Sequence, residues 1–195
     1  MGRQRKSDKP AKPAPENTNS RFSAQLLRPR IRGNDAQWAF VVLPAEASET
    51  LPRRGRTSVD GTINGQVFRA LLEPDGRRSH WLRLDPELLA AAEVTFGETA
   101  DFEIMPLAQE PEPEVPSDLR EALASAPESR ATWDATTTIA RLDWIHWITS
   151  AKQAGTRAKR VRDACDMLAS GKKRVCCFDP SGVYSKAFSA PQAAE

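Results

Sequence analysis

Cysteine is scarce in this chain and comes late. Cys165, Cys176 and Cys177 are an odd set with two adjacent members, and no earlier cysteine could complete a disulfide framework, so a reducing compartment is the simplest reading. No Cys-x-x-Cys has a second ligand pair, which argues against a structural zinc site. Histidine is scarcer still. His80 and His146 are the only two, so the commonest general base near neutral pH occurs just once in each half of the sequence. Long apolar runs are missing as well. Nothing approaches the ~18 uninterrupted apolar residues of a transmembrane helix, and the opening MGRQRKSDKPAKPAPENTNS lacks the apolar core of a signal peptide. These absences predict a cytoplasmic protein with no membrane insertion. Catalytic signatures are equally thin: there is no Gly-x-Ser-x-Gly elbow and no Gly-x-x-x-x-Gly-Lys-Ser/Thr phosphate loop. No cofactor is expected.

What is present is uneven. The hydrophobic share of 39% lies below the ~45–50% of compact domains, and the 15 prolines exceed average usage. The net charge of +2 conceals three blocks. Residues 1–20 carry five basic and two acidic groups, residues 108–134 carry two basic and seven acidic, and residues 141–174 carry nine basic and three acidic. Local fields of this kind steer partners more than the total does.

The blocks follow a two-module layout. Residues 1–20 read as a disordered basic tail, because their composition cannot bury enough surface to offset ordering entropy. Residues 21–107 hold short β-type runs at Phe22 to Leu27, Trp38 to Leu43 and Thr57 to Ile63. Asn64-Gly65 between Ile63 and Val67 has the chemistry of a two-residue hairpin turn with positive φ at both central positions. Pro74-Asp75-Gly76 predicts another turn, and Ser79 to Leu84 a further strand. Asp85-Pro86 then opens a short helix, with Asp85 as its cap, before a last strand at Phe102 to Met105. Six strands and one short helix predict a small β-barrel.

Residues 108–116, with alternating proline and glutamate, read as a linker. Residues 117–174 turn helical: Ser117 caps a first helix, a second starts at Pro127, and Thr138 to Lys152 is apolar around most of its circumference, the mark of a buried central helix. After Gly155, Thr156 is expected to cap a last helix with Val161, Cys165 and Leu168 on its apolar stripe and Gly171 at its end. Residues 175–195 read as a C-terminal tail, frayed from Ser181 onward. The predicted class is α+β, a barrel followed by a small all-α domain.

These residues carry a resemblance. Pro44, Arg54-Gly55, Val59-Asp60-Gly61-Thr62-Ile63-Asn64-Gly65, Phe68-Arg69, Leu72 and Pro74-Asp75-Gly76 resemble domain-of-unknown-function family 1905. Val115-Pro116-x-Asp118-Leu119, Ala122-Leu123, Trp147-Ile148, Ala151-Lys152 and Thr156-Arg157-x-Lys159-Arg160 resemble the YdeI/OmpD-associated, or bacteriocin-protection, family. Gly97-Glu98 departs from the Gly-Asp common before the last strand of the first family. The resemblance implies a double-split barrel followed by a helical domain.

Lys152, Thr156, Arg157, Lys159 and Arg160 are the candidate anion- or partner-binding residues, since they gather basic side chains and a hydroxyl at a helix start. The bland alternative is a solvated face paired with the acidic linker. His80 and His146 read as core histidines, and Cys165 as an inert core thiol. The function expected from the resemblance is that of a non-enzymatic interaction protein in tolerance of antimicrobial peptides or envelope stress, with a protein or peptide partner. The rival is a nucleic-acid-binding regulator using the tail and the last helix. A third reading is an enzyme with a water- or metal-assisted site built from His80 and barrel carboxylates.

Overall fold

The structure is a computed structural model that describes residues 19–30, 37–184 and 188–194. The tail expected at residues 1–20 lies outside the described residues up to position 18, and Ser20 already belongs to a strand. In chain order the first module comprises β1 (Ser20–Gln25), β2 (Ala39–Val42), α1 (Ala45–Glu49), β3 (Thr57–Ile63), β4 (Gln66–Pro74), β5 (His80–Leu84), α2 (Pro86–Ala91) and β6 (Thr99–Pro106).

The six strands lie in the order β1-β6-β3-β4-β5-β2, and every pairing is antiparallel. The two ends of this order meet. Leu27, just past β1, exchanges backbone hydrogen bonds of 2.8 and 2.9 Å with Phe40 of β2, which nearly closes the sheet into a barrel and shortens its open edges. Alternation along the strands points Leu26, Val59, Ile63, Leu72, Leu82 and Ile104 into one core.

The β3–β4 hairpin turns on Asn64 (φ 47°) and Gly65 (φ 86°), with Ile63 opposite Gln66, as the turn chemistry predicts. Asp85 occupies the cap position of α2, but its carboxylate accepts from Arg83 at 2.7 Å rather than from the helix. The short helix α1 follows Pro44 and has no sequence-level counterpart above; it carries Ser48 beneath β5.

Past the linker come α3 (Ser117–Ala124), α4 (Pro127–Asp134), α5 (Thr138–Thr149) and α6 (Ala154–Ala169). Helix α5 is the centre, with Trp144 and Ile148 fully buried against Leu119, Leu123, Val161 and Leu168. Thr137 caps it, its hydroxyl accepting from the Ala140 N–H at 3.2 Å. Two expected caps differ. Ser117 is the first residue of α3 and Pro116 holds the cap position, without a side-chain bond. Helix α6 begins before Thr156, because the Arg157 N–H already donates to the Gln153 carbonyl at 3.0 Å, so Gly155 sits inside the first turn. Gly171, at φ 81°, ends α6 as expected.

The described residues after α6, 170–184 and 188–194, pack back onto the molecule where a frayed tail was expected. Val175 and Phe188 are buried, and residues 192–194 bond back to Arg28 and Arg30 beside the barrel. Glycines permit that return: a Cβ on Gly76 would stand 2.6 Å from the Phe188 carbonyl oxygen, and one on Gly182 would stand 2.7 Å from the Phe188 Cβ. Two phenylalanines in a serine- and alanine-rich stretch anchor it, too few to show as a periodic pattern. The protein is thus α+β, a nearly closed six-stranded antiparallel barrel followed by helices. Among the described residues no helix is long and apolar enough to cross a membrane.

Candidate functional site

The residues singled out from sequence cluster around the start of α6, but three of the five, Arg157, Lys159 and Arg160, already have partners. Arg157 forks onto Asp118 of α3 with bonds of 2.7 and 3.1 Å, and this pairing holds the Asp118 carboxyl below its ordinary range. Lys159 reaches Asp163 one turn on at 2.7 Å. Arg160 donates to the Trp147 carbonyl and to the Ser150 hydroxyl, closing α6 onto the end of α5. Lys152 and Thr156 are exposed, the latter within the first helical turn rather than at the cap. The set works mainly as a brace among the helices.

The acidic linker is likewise pinned, though not to α6. Glu110 pairs with Arg53 of the barrel and accepts from the Ser58 N–H at 2.9 Å, while Glu112 takes Arg141 and the Thr138 hydroxyl of α5. One glutamate therefore holds each module.

Between the modules these contacts leave a cleft of about 430 Å³. Its barrel wall is the Arg53-Arg54-Gly55-Arg56 turn entering β3; its helical wall is the first half of α5 with Ile139 and Asp143; Arg174 and Ser181 close the third side. The turn is positioned from inside the barrel by His80. The His80 Nε2–H donates to the Gly55 carbonyl at 3.0 Å, and Nδ1 accepts from the Ser48 hydroxyl at 2.7 Å. Both ring nitrogens are occupied and the ring is fully buried, so burial pushes the His80 pKa down and keeps it neutral.

Arg56 is the joint between the modules. Its side chain is only 12% exposed. It donates to Glu73 of β4 at 3.1 Å, meets Nδ1 of His146 on α5, and lies 5.3 Å from the Phe188 ring centroid. His146 in turn stacks on Phe188, with centroids 4.1 Å apart and planes 14° apart. His146 is therefore an interdomain residue rather than an interior one. Arg53 is half-buried and donates to the Arg56 carbonyl at 2.6 Å. Arg54 and Arg174 are exposed on the rim; Arg54 donates to the Arg78 carbonyl and stands 3.6 Å from an exposed Glu49, a pairing worth little in water.

Asp143 faces this group from α5. Burial pushes its carboxyl up to about 6, while Arg56, Arg174 and Arg53 pull it down without overcoming the burial. The folded-state pKa exceeds the unfolded value, so the penalty is complete above pH ~6 and disappears as pH falls toward ~4. Partial exposure of the side chain reduces that penalty to about 1–2 kcal/mol. Asp143→Asn is accordingly expected to stabilise the protein by about this amount at pH 7.5 and to match the parent near pH 4. Urea unfolding at the two pH values measures it, and a destabilised variant at pH 7.5 would contradict it.

Sequence reasoning missed Arg53, Arg56, Asp143 and Phe188. Two signals pointed toward them: three arginines around one glycine before β3, and Asp143 with His146 three residues later in an otherwise apolar helix.

A nearly closed barrel joined by a pinned linker to a four-helix unit defines a two-domain protein with a cleft at the seam lined by both domains. Family models agree with that division. Residues 22–104 match the family model of the domain of unknown function DUF1905, and residues 112–171 match the model described as bacteriocin-protection, YdeI or OmpD-associated. No curated protein matches the chain.

Proposed function

We propose that the protein is a non-enzymatic interaction protein of the bacteriocin-protection kind, acting in the cytoplasm in tolerance of antimicrobial peptides or envelope stress. Its partner, a protein or peptide presenting a carboxylate, seats at the interdomain cleft. The observation that carries this reading is the cleft itself, where the exposed guanidiniums of Arg54 and Arg174 flank a half-buried Asp143 midway along α5. Arginine suits the task because its planar fork matches a carboxylate. The non-enzymatic part rests on His80, whose two nitrogens are engaged in holding the Gly55 turn. The rival nucleic-acid reading loses support because Arg157, Lys159 and Arg160 are tied to groups within the helical unit.

The test is survival of a deletion strain across a panel of bacteriocins and cationic peptides, complemented with the parent gene or with an Arg54→Glu/Arg174→Glu variant. Sensitivity rescued by the parent and not by the variant is expected, with the variant's circular dichroism unchanged. Equal survival of deletion and parent strains overturns the proposal. Sub-micromolar binding of mixed duplex DNA at low salt, falling steeply as salt is raised, would favour the regulator instead.

A further inference from the structure

Cys176 and Cys177 lie in the loop between α6 and Phe178, and both are exposed free thiols. Adjacent side chains on an extended chain point to opposite sides. Here they do not. Cys177 takes a left-handed backbone conformation, φ 58°, which turns the two sulfurs toward each other at 3.4 Å. The loop is held at both ends, by Val175 in the helical core and by Phe178 against the His146 ring. The pairing is therefore a feature of anchored backbone.

The separation selects among thiol chemistries. A disulfide needs its sulfurs at ~2.05 Å. A single soft atom bonded to both sulfurs at ~2.3 Å, with an angle between about 90° and 110°, sets them ~3.3–3.8 Å apart. Linear two-coordination with the same bonds would need ~4.6 Å. The observed 3.4 Å fits the bent case. Among the described residues no group of three or more His, Cys, Asp or Glu could hold a metal ion, so the bound atom must bring its remaining substituent itself.

We propose that Cys176 and Cys177 form a chelating dithiol site for trivalent arsenicals. The reaction is a condensation without change of oxidation state. With an arsenoxide, R–As=O, each sulfur forms one bond to arsenic, the arsenic–oxygen bond breaks, and the oxygen leaves as water carrying the two thiol protons. The Cys177 thiol, hydrogen-bonded to Cys176 and close to it, is held above its ordinary range against the pull of Lys172. Cys165 is half-buried on α6, and burial pushes its thiol up too; it stands alone and cannot chelate.

The test titrates the reduced full-length protein, freed of reductant, with phenylarsine oxide and follows intact mass. One phenylarsenic group per chain, with two hydrogens lost, is expected to survive excess mercaptoethanol and to be removed by dimercaptopropanol. Chelation gives the second sulfur the advantage of an intramolecular reaction, so Cys176→Ser and Cys177→Ser should each weaken retention by ~10²-fold or more. Cys165→Ser should retain the adduct as the parent does. Arsenite in place of the organic reagent distinguishes a preference for the free oxyacid from one for an arsenoxide. No adduct on the parent, an adduct surviving mercaptoethanol in either serine variant, or one lost in Cys165→Ser overturns the proposal. Far-UV circular dichroism of the variants confirms that the fold is intact.

Discussion

Trp144→Ala should unfold the helical unit while the barrel stays folded. Trp144 is fully buried, packs edge-on to Trp147 with centroids 6.1 Å apart, and stands at the centre of a core that includes Leu119, Ile148 and Leu168. Truncating a buried tryptophan to alanine costs about 3–5 kcal/mol, through lost transfer energy and the cavity left behind. A single core of this size rarely supplies more than ~3–5 kcal/mol in total. The barrel has its own apolar cluster, made of different residues. Native-state hydrogen exchange should show protection lost across α3 to α6 and kept across β3, β4 and β6. Equal loss in both modules would mean that they fold as one cooperative unit.

The second large effect is expected at Arg56. Its removal leaves the Glu73 carboxylate without its cation, cuts the contact to His146 and uncovers one side of Phe188. Breaking a buried pair costs ~3–5 kcal/mol, and partial exposure of Glu73 lowers this to about 2–3 kcal/mol for Arg56→Ala. The cost should also depend on pH. Arg56 is the foremost of the cations that offset burial at Asp143, so without it the Asp143 pKa rises further above about 6. The gap between parent and variant should therefore be wider at pH 8, where that carboxyl is ionised, than at pH 5. Arg56→Lys keeps the charge but not the fork and should fall between the two. Denaturation curves at both pH values measure this, and a gap that does not change with pH would show that Arg56 and Asp143 are uncoupled.

Legibility in the sequence followed the range of the interaction. Asn64-Gly65 was readable because its turn needs only the conformations of those two residues, and six strands were readable because alternation is local. Helix α5 was readable because Trp144, Ile145, Trp147 and Ile148 leave it apolar nearly all round. Helix starts were read less well. Asp85 is drawn away by Arg83, and Thr156 is overtaken by a helix that tolerates Gly155 in its first turn. The basic start of α6 was visible as a charge cluster, but its partners were not, since Asp118 lies on another helix. The cleft was least legible of all. Arg56 and His146 are 90 residues apart, and Phe188 is one aromatic in a stretch that composition assigns to a loose tail. Only the closed fold brings them to one place.

The return of residues 192–194 to Arg28 and Arg30 changes the topology of the whole chain. The helical unit leaves the barrel through the linker and comes back to it at the other end, so it is held by two tethers rather than one. Opening the seam then costs contacts but little separation, and the two walls of the cleft remain at high effective concentration for reclosure. Under the function proposed above, a partner entering there would meet two walls fastened at both ends, whose modules cannot drift away from each other.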